Sequence, residues 1–123
     1  MKRSVINYLE QREKECEDIL ECIAGFGDLE KEIYLSMLEE DEMTVDEVAE
    51  KVGKERSTVF RALKTLLEND FVEKDTRGLE GGSYVNVYDA VPPEEVSQRM
   101  RERVENWREL VEEMIDEFED QYS

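Results

Sequence analysis

TVDEVAEKVGKERSTVFRALKTLLEN, residues 44–69, reads as two short helices joined by a tight turn. Thr44 followed by Glu47 is a capping box, in which each side chain can bond the other's backbone N–H, so a helix should begin there. Val45, Val48, Ala49 and Val52 then make one apolar face at helical spacing. Gly53 stands where that helix must stop, because glycine enters the left-handed conformation without a Cβ clash. A second helix is expected to start near Ser57 or Thr58, both suitable N-caps. Its buried face would be Val59, Ala62, Leu63, Leu66 and Leu67, and its opposite face carries Arg56, Ser57, Thr58, Arg61 and Lys64. Phe60 is ambiguous, since it follows the core face at one edge, and burial is expected in preference to a DNA contact. A helix-turn-helix whose second helix presents cations outward is the arrangement that enters a DNA major groove.

The residues that follow extend this pattern. Phe71 to Arg77 alternates as a strand, Gly78-Leu79-Glu80-Gly81-Gly82 is turn-like, and Ser83 to Tyr88 is rich in β-formers. Tyr84 and Tyr88 share a face of that strand and are expected to pack. Helix, turn, helix and then a hairpin gives the fold class: mainly α with a small β-hairpin wing, a winged helix-turn-helix with long N- and C-terminal dimerisation helices. On the words "TVDEVAEKVGKERSTVFRALKTLLENDFVEKD" and the glycine-rich wing, the chain resembles archaeal winged-helix transcriptional regulators of the TrmB-like and MarR-like kind. The resemblance covers residues 28–91, and the flanking helices in general layout. It departs where many relatives have Pro at the position of Glu55 and Gly at the position of Asn69-Asp70. Asn and Asp tolerate the left-handed cap, whereas Glu55 adds a negative charge beside the outward helix. The resemblance implies a DNA-binding regulator in which a basic wing residue, here Arg77, reaches the minor groove.

Composition sets outer limits. A chain of 123 residues supports one domain with a modest core. No apolar run approaches the length of a membrane span and no signal peptide is evident, so a cytoplasmic protein with no membrane partner is expected. The net charge is −18, from 34 acidic and 16 basic residues, the wrong sign for a ligand as anionic as DNA. Its distribution matters more: residues 51–77 carry seven basic and five acidic side chains, a net of +2, which leaves −20 on the remainder. Acidic surfaces are common in salt-accumulating organisms, and with the archaeal resemblance this implies a halophilic archaeon. In molar salt the Debye length is about 3 Å, so distant carboxylates barely repel DNA. A generally acidic mesophilic protein is the alternative.

Residues 4–24 form an apolar stripe through Val5, Leu9, Cys16, Ile19, Leu20 and Ile23, expected to be a helix begun at Ser4 and ended by Gly25-Phe26-Gly27. Cys16 and Cys22 lie six positions apart on different faces of such a helix and cannot bridge within it. They read as small buried side chains, with a redox-responsive thiol across a subunit interface as the sharper alternative. The absence of histidine argues against a zinc site, and no metal or cofactor is expected. Asp28 is expected to cap a helix whose inner face is Leu29, Ile33, Tyr34, Met37 and Leu38, followed by an acidic connector over 39–43. After Pro92-Pro93 a long helix should run from Glu94 to about Gln121. Met100, Val104, Trp107, Val111, Met114 and Phe118 repeat at intervals of 4, 3, 4, 3 and 4, a heptad seam that requires a partner helix. Residues 99–108 hold Arg99, Arg101, Arg103 and Arg108 against two Glu, while 109–120 hold seven acidic and no basic residues. Two copies laid antiparallel set each basic half beside an acidic half. An intrachain hairpin with residues 4–24 is the competing arrangement.

The expected organisation is thus 1–27 as an N-terminal dimer-supporting helix, 28–91 as a winged helix-turn-helix DNA-binding domain, and 92–123 as an antiparallel dimerisation helix. The expected function is sequence-specific binding of double-stranded DNA as a homodimeric transcriptional regulator. Ser57, Thr58, Lys54 and Lys64 would position phosphates, Arg56 and Arg61 would read base edges, and Arg77 would serve the wing. The other class is a winged-helix protein-interaction module in the basal transcription machinery that does not touch DNA. An enzyme is not expected: the chain has no histidine, no P-loop and no nucleophile elbow.

Overall fold

The computed structural model describes Leu20 and residues 24–123. The helix expected over 4–24, its dimer-supporting role and both cysteines fall outside the described residues, apart from Leu20, which is helical, and Ala24. The chain divides into two compact units, Met1–Val91 and Pro92–Ser123.

In the first unit, α1 (Asp28–Met37), α2 (Val45–Val52) and α3 (Arg56–Glu68) precede an antiparallel hairpin of β1 (Val72–Gly78) and β2 (Tyr84–Ala90). The hairpin register runs from Val72 opposite Ala90 to Gly78 opposite Tyr84. Most of each expected inner face is buried, but Leu29, Val52 and Leu67 are only half-buried, and Leu38, just past the end of α1, is exposed. Ile33, Tyr34 and Met37 of α1 meet Val45, Val48 and Ala49 of α2 and Val59, Ala62, Leu63 and Leu66 of α3 in one core. Phe71 fills its centre, edge-on to Phe26 at 4.8 Å and to Tyr34 at 5.2 Å between ring centroids. Burying Tyr34 would strand its hydroxyl, which instead donates to the Val91 carbonyl at 2.7 Å.

The connector before α2 contributes more than charge. Met43 is buried and forms a bridge to Tyr88, its N–H donating to the Tyr88 carbonyl at 2.9 Å and the Tyr88 N–H donating back at 2.7 Å. The hairpin thereby acquires a short third edge joined to the helices. Lys51 closes the other side: its ammonium donates to the Ser36 carbonyl at 2.8 Å and to Glu39 and Glu40 at 3.1 Å each. Partial burial of the stem works against the charge, but the two carboxylates outweigh it and raise the pKa of Lys51.

Several sequence expectations need correction. The cap of α1 is Gly27, not Asp28, with no side-chain bond. The cap of α3 is Glu55 rather than Ser57 or Thr58; its extended backbone lets its carbonyl accept from Val59 N–H at 3.0 Å. The Gly53 turn has already reversed the chain by that point, so α3 starts at once and delivers Val59 to the core. Phe60 is 46% exposed, not buried, because it lies about 100° round the helix from Val59 and the inner face is already filled. Tyr84 is exposed, unlike Tyr88, because it pairs opposite Gly78 at the far end of the hairpin, away from the helices.

The second unit is one helix, α4 (Pro93–Tyr122). Pro93 occupies the first helical position, where its missing N–H costs nothing. Thirty residues give a helix about 45 Å long.

Candidate nucleic-acid interface

Two helix ends and a turn build the surface. Thr44 Oγ1 accepts from Glu47 N–H at 3.2 Å and Glu47 Oε1 accepts from Thr44 N–H at 2.9 Å, fixing where α2 begins. Gly53, at φ +69°, ends it, with its N–H donating to the Ala49 carbonyl at 2.9 Å. These two fixed ends set the angle at which α3 leaves the turn. The core residues of α3 then hold Arg56, Ser57, Arg61 and Lys64 on the exposed side, while Thr58 is half-buried and Lys54 is exposed in the turn. Six of the expected contact residues, from Lys54 to Lys64, therefore sit on one contiguous stretch of turn and helix.

Their partners differ. Arg56 Nε donates to Asp46 Oδ1 at 2.9 Å, pairing the first residue of α3 with the first turn of α2. Both side chains are well exposed, so water screens this pair and it holds the guanidinium in place more than it stabilises the fold. Arg61 and Lys64 form no ion pair with any described residue. No acidic side chain stands in the first turn of α3, although Glu55 caps it.

Arg77 is placed apart from this group. It lies on β1, one residue before Gly78, and the tip proper is Leu79 to Ser83, with Gly81 and Gly82 at φ +88° and +87°. Its Nε donates to Glu42 Oε2 at 3.0 Å, a second nitrogen also bonds Glu42, and a third donates to Asp75 at 2.7 Å. The Arg77 bond, and then the Thr76 N–H, hold the Asp75 carboxyl below its ordinary range, and the bonds to Asp75 and then Glu42 raise Arg77. A shallow hollow beside it is lined by Glu42, Glu73, Lys74, Asp75, Val87 and Asp89. This side of the wing is acidic, and Arg77 ties it to the connector before α2.

On α4 the six seam residues are accessible: Met100 partly, and Val104, Trp107, Val111, Met114 and Phe118 between 42% and 66%. Leu110, Ile115 and Tyr122 are exposed as well and widen the stripe beyond a strict heptad seam. Each lies three or four positions from a seam residue (Trp107 to Leu110, Val111 to Ile115, Phe118 to Tyr122), so the sequence signals them once more than a single heptad seam is traced. Arg108 bonds Glu105 at 2.6 Å and Glu112 at 2.9 Å within the same helix, and Arg99 bonds Glu95 at 2.8 Å. Some of the cations counted toward a partner are therefore already engaged. Asp46 and Glu42, which face Arg56 and Arg77 from 10 and 35 positions away, have no local sequence signal.

A helix-turn-helix followed by a two-stranded wing and a long terminal helix defines a winged-helix protein. Within that class, residues 20–94 match the family described as sugar-specific transcriptional regulator TrmB, and the chain belongs to that family. It is similar over 118 residues, 96% of each chain, to uncharacterized protein MJ1082 of Methanocaldococcus jannaschii, at 32% identity. Uncharacterized protein MJ1503 of the same organism is 25% identical over 103 residues, 84% of this chain and 78% of its own. Among solved structures, a possible transcriptional regulator from Methanosarcina mazei Go1 superposes with a TM-score of 0.65 at 21% identity, covering 84% of this chain and 92% of the other. The ST1889 protein from Sulfolobus tokodaii gives 0.55 at 22% identity, covering 85% and 94%. Both likenesses show the fold. Among the described residues no helix is long and apolar enough to cross a membrane.

Proposed function

We propose that this chain is a homodimeric, sequence-specific regulator that binds double-stranded DNA with α3 in the major groove and the wing beside the minor groove. The observation that carries this reading is the division of α3, with Val59, Ala62, Leu63 and Leu66 fully inward and Ser57, Arg61 and Lys64 outward. Membership of a family of transcriptional regulators supports it. Lys54, Ser57, Thr58 and Lys64 position phosphates, while Arg61 and Arg56 reach base edges, Arg56 by exchanging Asp46 for a base or phosphate acceptor. Arg77 serves the wing only after leaving Glu42 and Asp75, which makes its contact the costliest of the set. Two copies joined through α4 present two recognition helices to half-sites about one helical turn apart.

Selection from a random duplex pool, followed by gel shifts on the enriched sequence, tests the reading. One sequence should be enriched and the shifted complex should contain two copies. If no duplex is retained at any salt concentration while a transcription protein is captured instead, the protein-interaction reading replaces this one.

A further inference from the structure

Phe60 is the one large apolar side chain that α3 leaves exposed, at 46%, and among the described residues no ring contact engages it. Counting about 100° per residue from Val59, Phe60 falls at about 100°, Lys64 at about 140°, Ser57 at about 160° and Arg61 at about 200°. The phenyl ring thus shares the outward arc of the polar residues assigned to DNA. Lys64 lies one turn onward and Arg56 one turn back, each about 6 Å along the axis. Any surface that covers Phe60 must also accept these two cations, which favours an anionic partner over an apolar protein face.

A duplex major groove is such a partner. Its floor offers hydrogen-bonding edges and one apolar feature, the C5-methyl group of thymine. A phenyl ring has no polar atom, so the methyl group is the edge feature that it can select. We propose that Phe60 is a specificity-determining residue that reads a thymine C5-methyl group in the major groove. The proposal rests on α3 being the major-groove helix and adds a base preference to it: each half-site contains a thymine whose methyl group, rather than its hydrogen-bonding edge, is recognised. A phosphate held by Lys64 one turn onward and a base edge reached by Arg56 one turn back bring the ring down onto the base.

Replacing thymine by uracil removes only the methyl group and leaves pairing and the O4 acceptor intact. The test takes the sequence selected by the wild-type chain, replaces its thymines one at a time by uracil, and titrates each duplex with wild-type, Phe60→Ala and Phe60→Leu proteins. Removing one buried methyl group should weaken wild-type binding about fourfold at one thymine per half-site. Phe60→Ala should bind the thymine and uracil duplexes equally, and Phe60→Leu, which keeps an apolar body, should retain most of the preference. The exposed position makes both variants foldable, which circular dichroism checks. Wild-type indifference to uracil at every position, or a preference that survives in Phe60→Ala, overturns the proposal while leaving sequence-specific binding in place. A Phe60→Ala chain with altered oligomeric state and an intact methyl preference assigns the ring to a protein contact and equally overturns it. Failure to enrich any sequence removes the DNA-binding reading itself.

Discussion

Arginine among the described residues occurs in two conditions, and the difference has consequences for binding. Arg61 meets no described carboxylate, so a base or phosphate acceptor finds it ready; Arg61→Ala should weaken specific binding by about 1–3 kcal/mol and relax preference at the base it contacts, read by gel shift on single-base variants of the selected site. Arg56 is already paired with Asp46, and an arginine that trades a carboxylate for a phosphate releases few small ions. Neutralising the carboxylate with Asp46→Asn should therefore tighten DNA binding and steepen its salt dependence by up to about one charge equivalent. The same change removes an acid from the first turn of α2, where it favours the helix dipole, so stability should fall slightly while affinity rises. Opposite signs in a thermal melt and a binding titration identify the pair; a fall in both would make Asp46 merely structural. Asp75 allows a check through pH. Its folded pKa is depressed by Arg77 and the Thr76 N–H, so its contribution is present above the ordinary aspartate range and is lost as pH falls through the lowered value. Carbon-detected titration should find Asp75 below the ordinary aspartate range in the wild type and closer to that range in Arg77→Gln, where only the Thr76 N–H still lowers it. The pairing of Arg56 and Arg77 is not legible in the sequence, because Asp46 and Glu42 come from other elements. Phe60 departs from its expected burial for a different reason: periodicity locates the centre of a face well and its edge poorly.

At the scale of the element, the turn between α2 and α3 determines what the recognition surface can be. Thr44 and Glu47 satisfy each other's backbone donors, and Thr44→Ala should cost about 1 kcal/mol in chemical denaturation. Gly53 has a φ of +69° and an added Cβ would meet nothing within 4 Å, so the cost of Gly53→Ala is conformational, about 1–2 kcal/mol, without a clash. Asn at the same position, which tolerates the left-handed region, should recover part of that loss. These features were legible in the sequence because they are local: a capping box, a terminating glycine and a period of 3.6 all fall within a few residues. The left-handed position after α3 was legible on the same grounds, and Asp70 takes it at φ +63°. The bridge from Met43 to Tyr88 was not, since it joins residues 45 positions apart and a single apolar residue in an acidic connector has no period. The start of α3 departs from expectation for a related reason. Ser57 and Thr58 are good caps in isolation, but the geometry of the preceding turn decided the matter in favour of Glu55.

For the whole molecule the question is how a chain of net charge −18 approaches DNA. With phosphate attraction concentrated on α3 and Arg56 already paired, few counterions are displaced, so affinity should fall with salt less steeply than the number of exposed cations implies. A second copy changes the arithmetic by doubling the contacts at fixed spacing, and α4 is where a copy would join. Its apolar stripe from Val104 to Tyr122 is exposed in the single chain, and Trp107 within it is the only tryptophan, 42% exposed. Fluorescence should shift to the red as the protein is diluted, and Val111→Asp should give the monomer's spectrum and sedimentation at all concentrations. Direction is the sharper issue. If the seam from Met100 to Phe118 pairs with itself antiparallel, the two-fold axis passes near residue 109, and two copies of position 101 stand about 24 Å apart along the axis. A parallel pair brings them to the interaxial distance of about 8–10 Å. Charge favours the first arrangement, because Arg101 and Arg103 then face the acidic run from Glu112 to Asp120 of the second copy. It favours it less at high salt, where the Debye length shrinks to about 3 Å and the apolar seam alone must select the register. Spin labels at Arg101→Cys, in a chain with Cys16 and Cys22 replaced, should therefore report the long distance at low and high salt alike. A short distance at either would exclude the antiparallel pair.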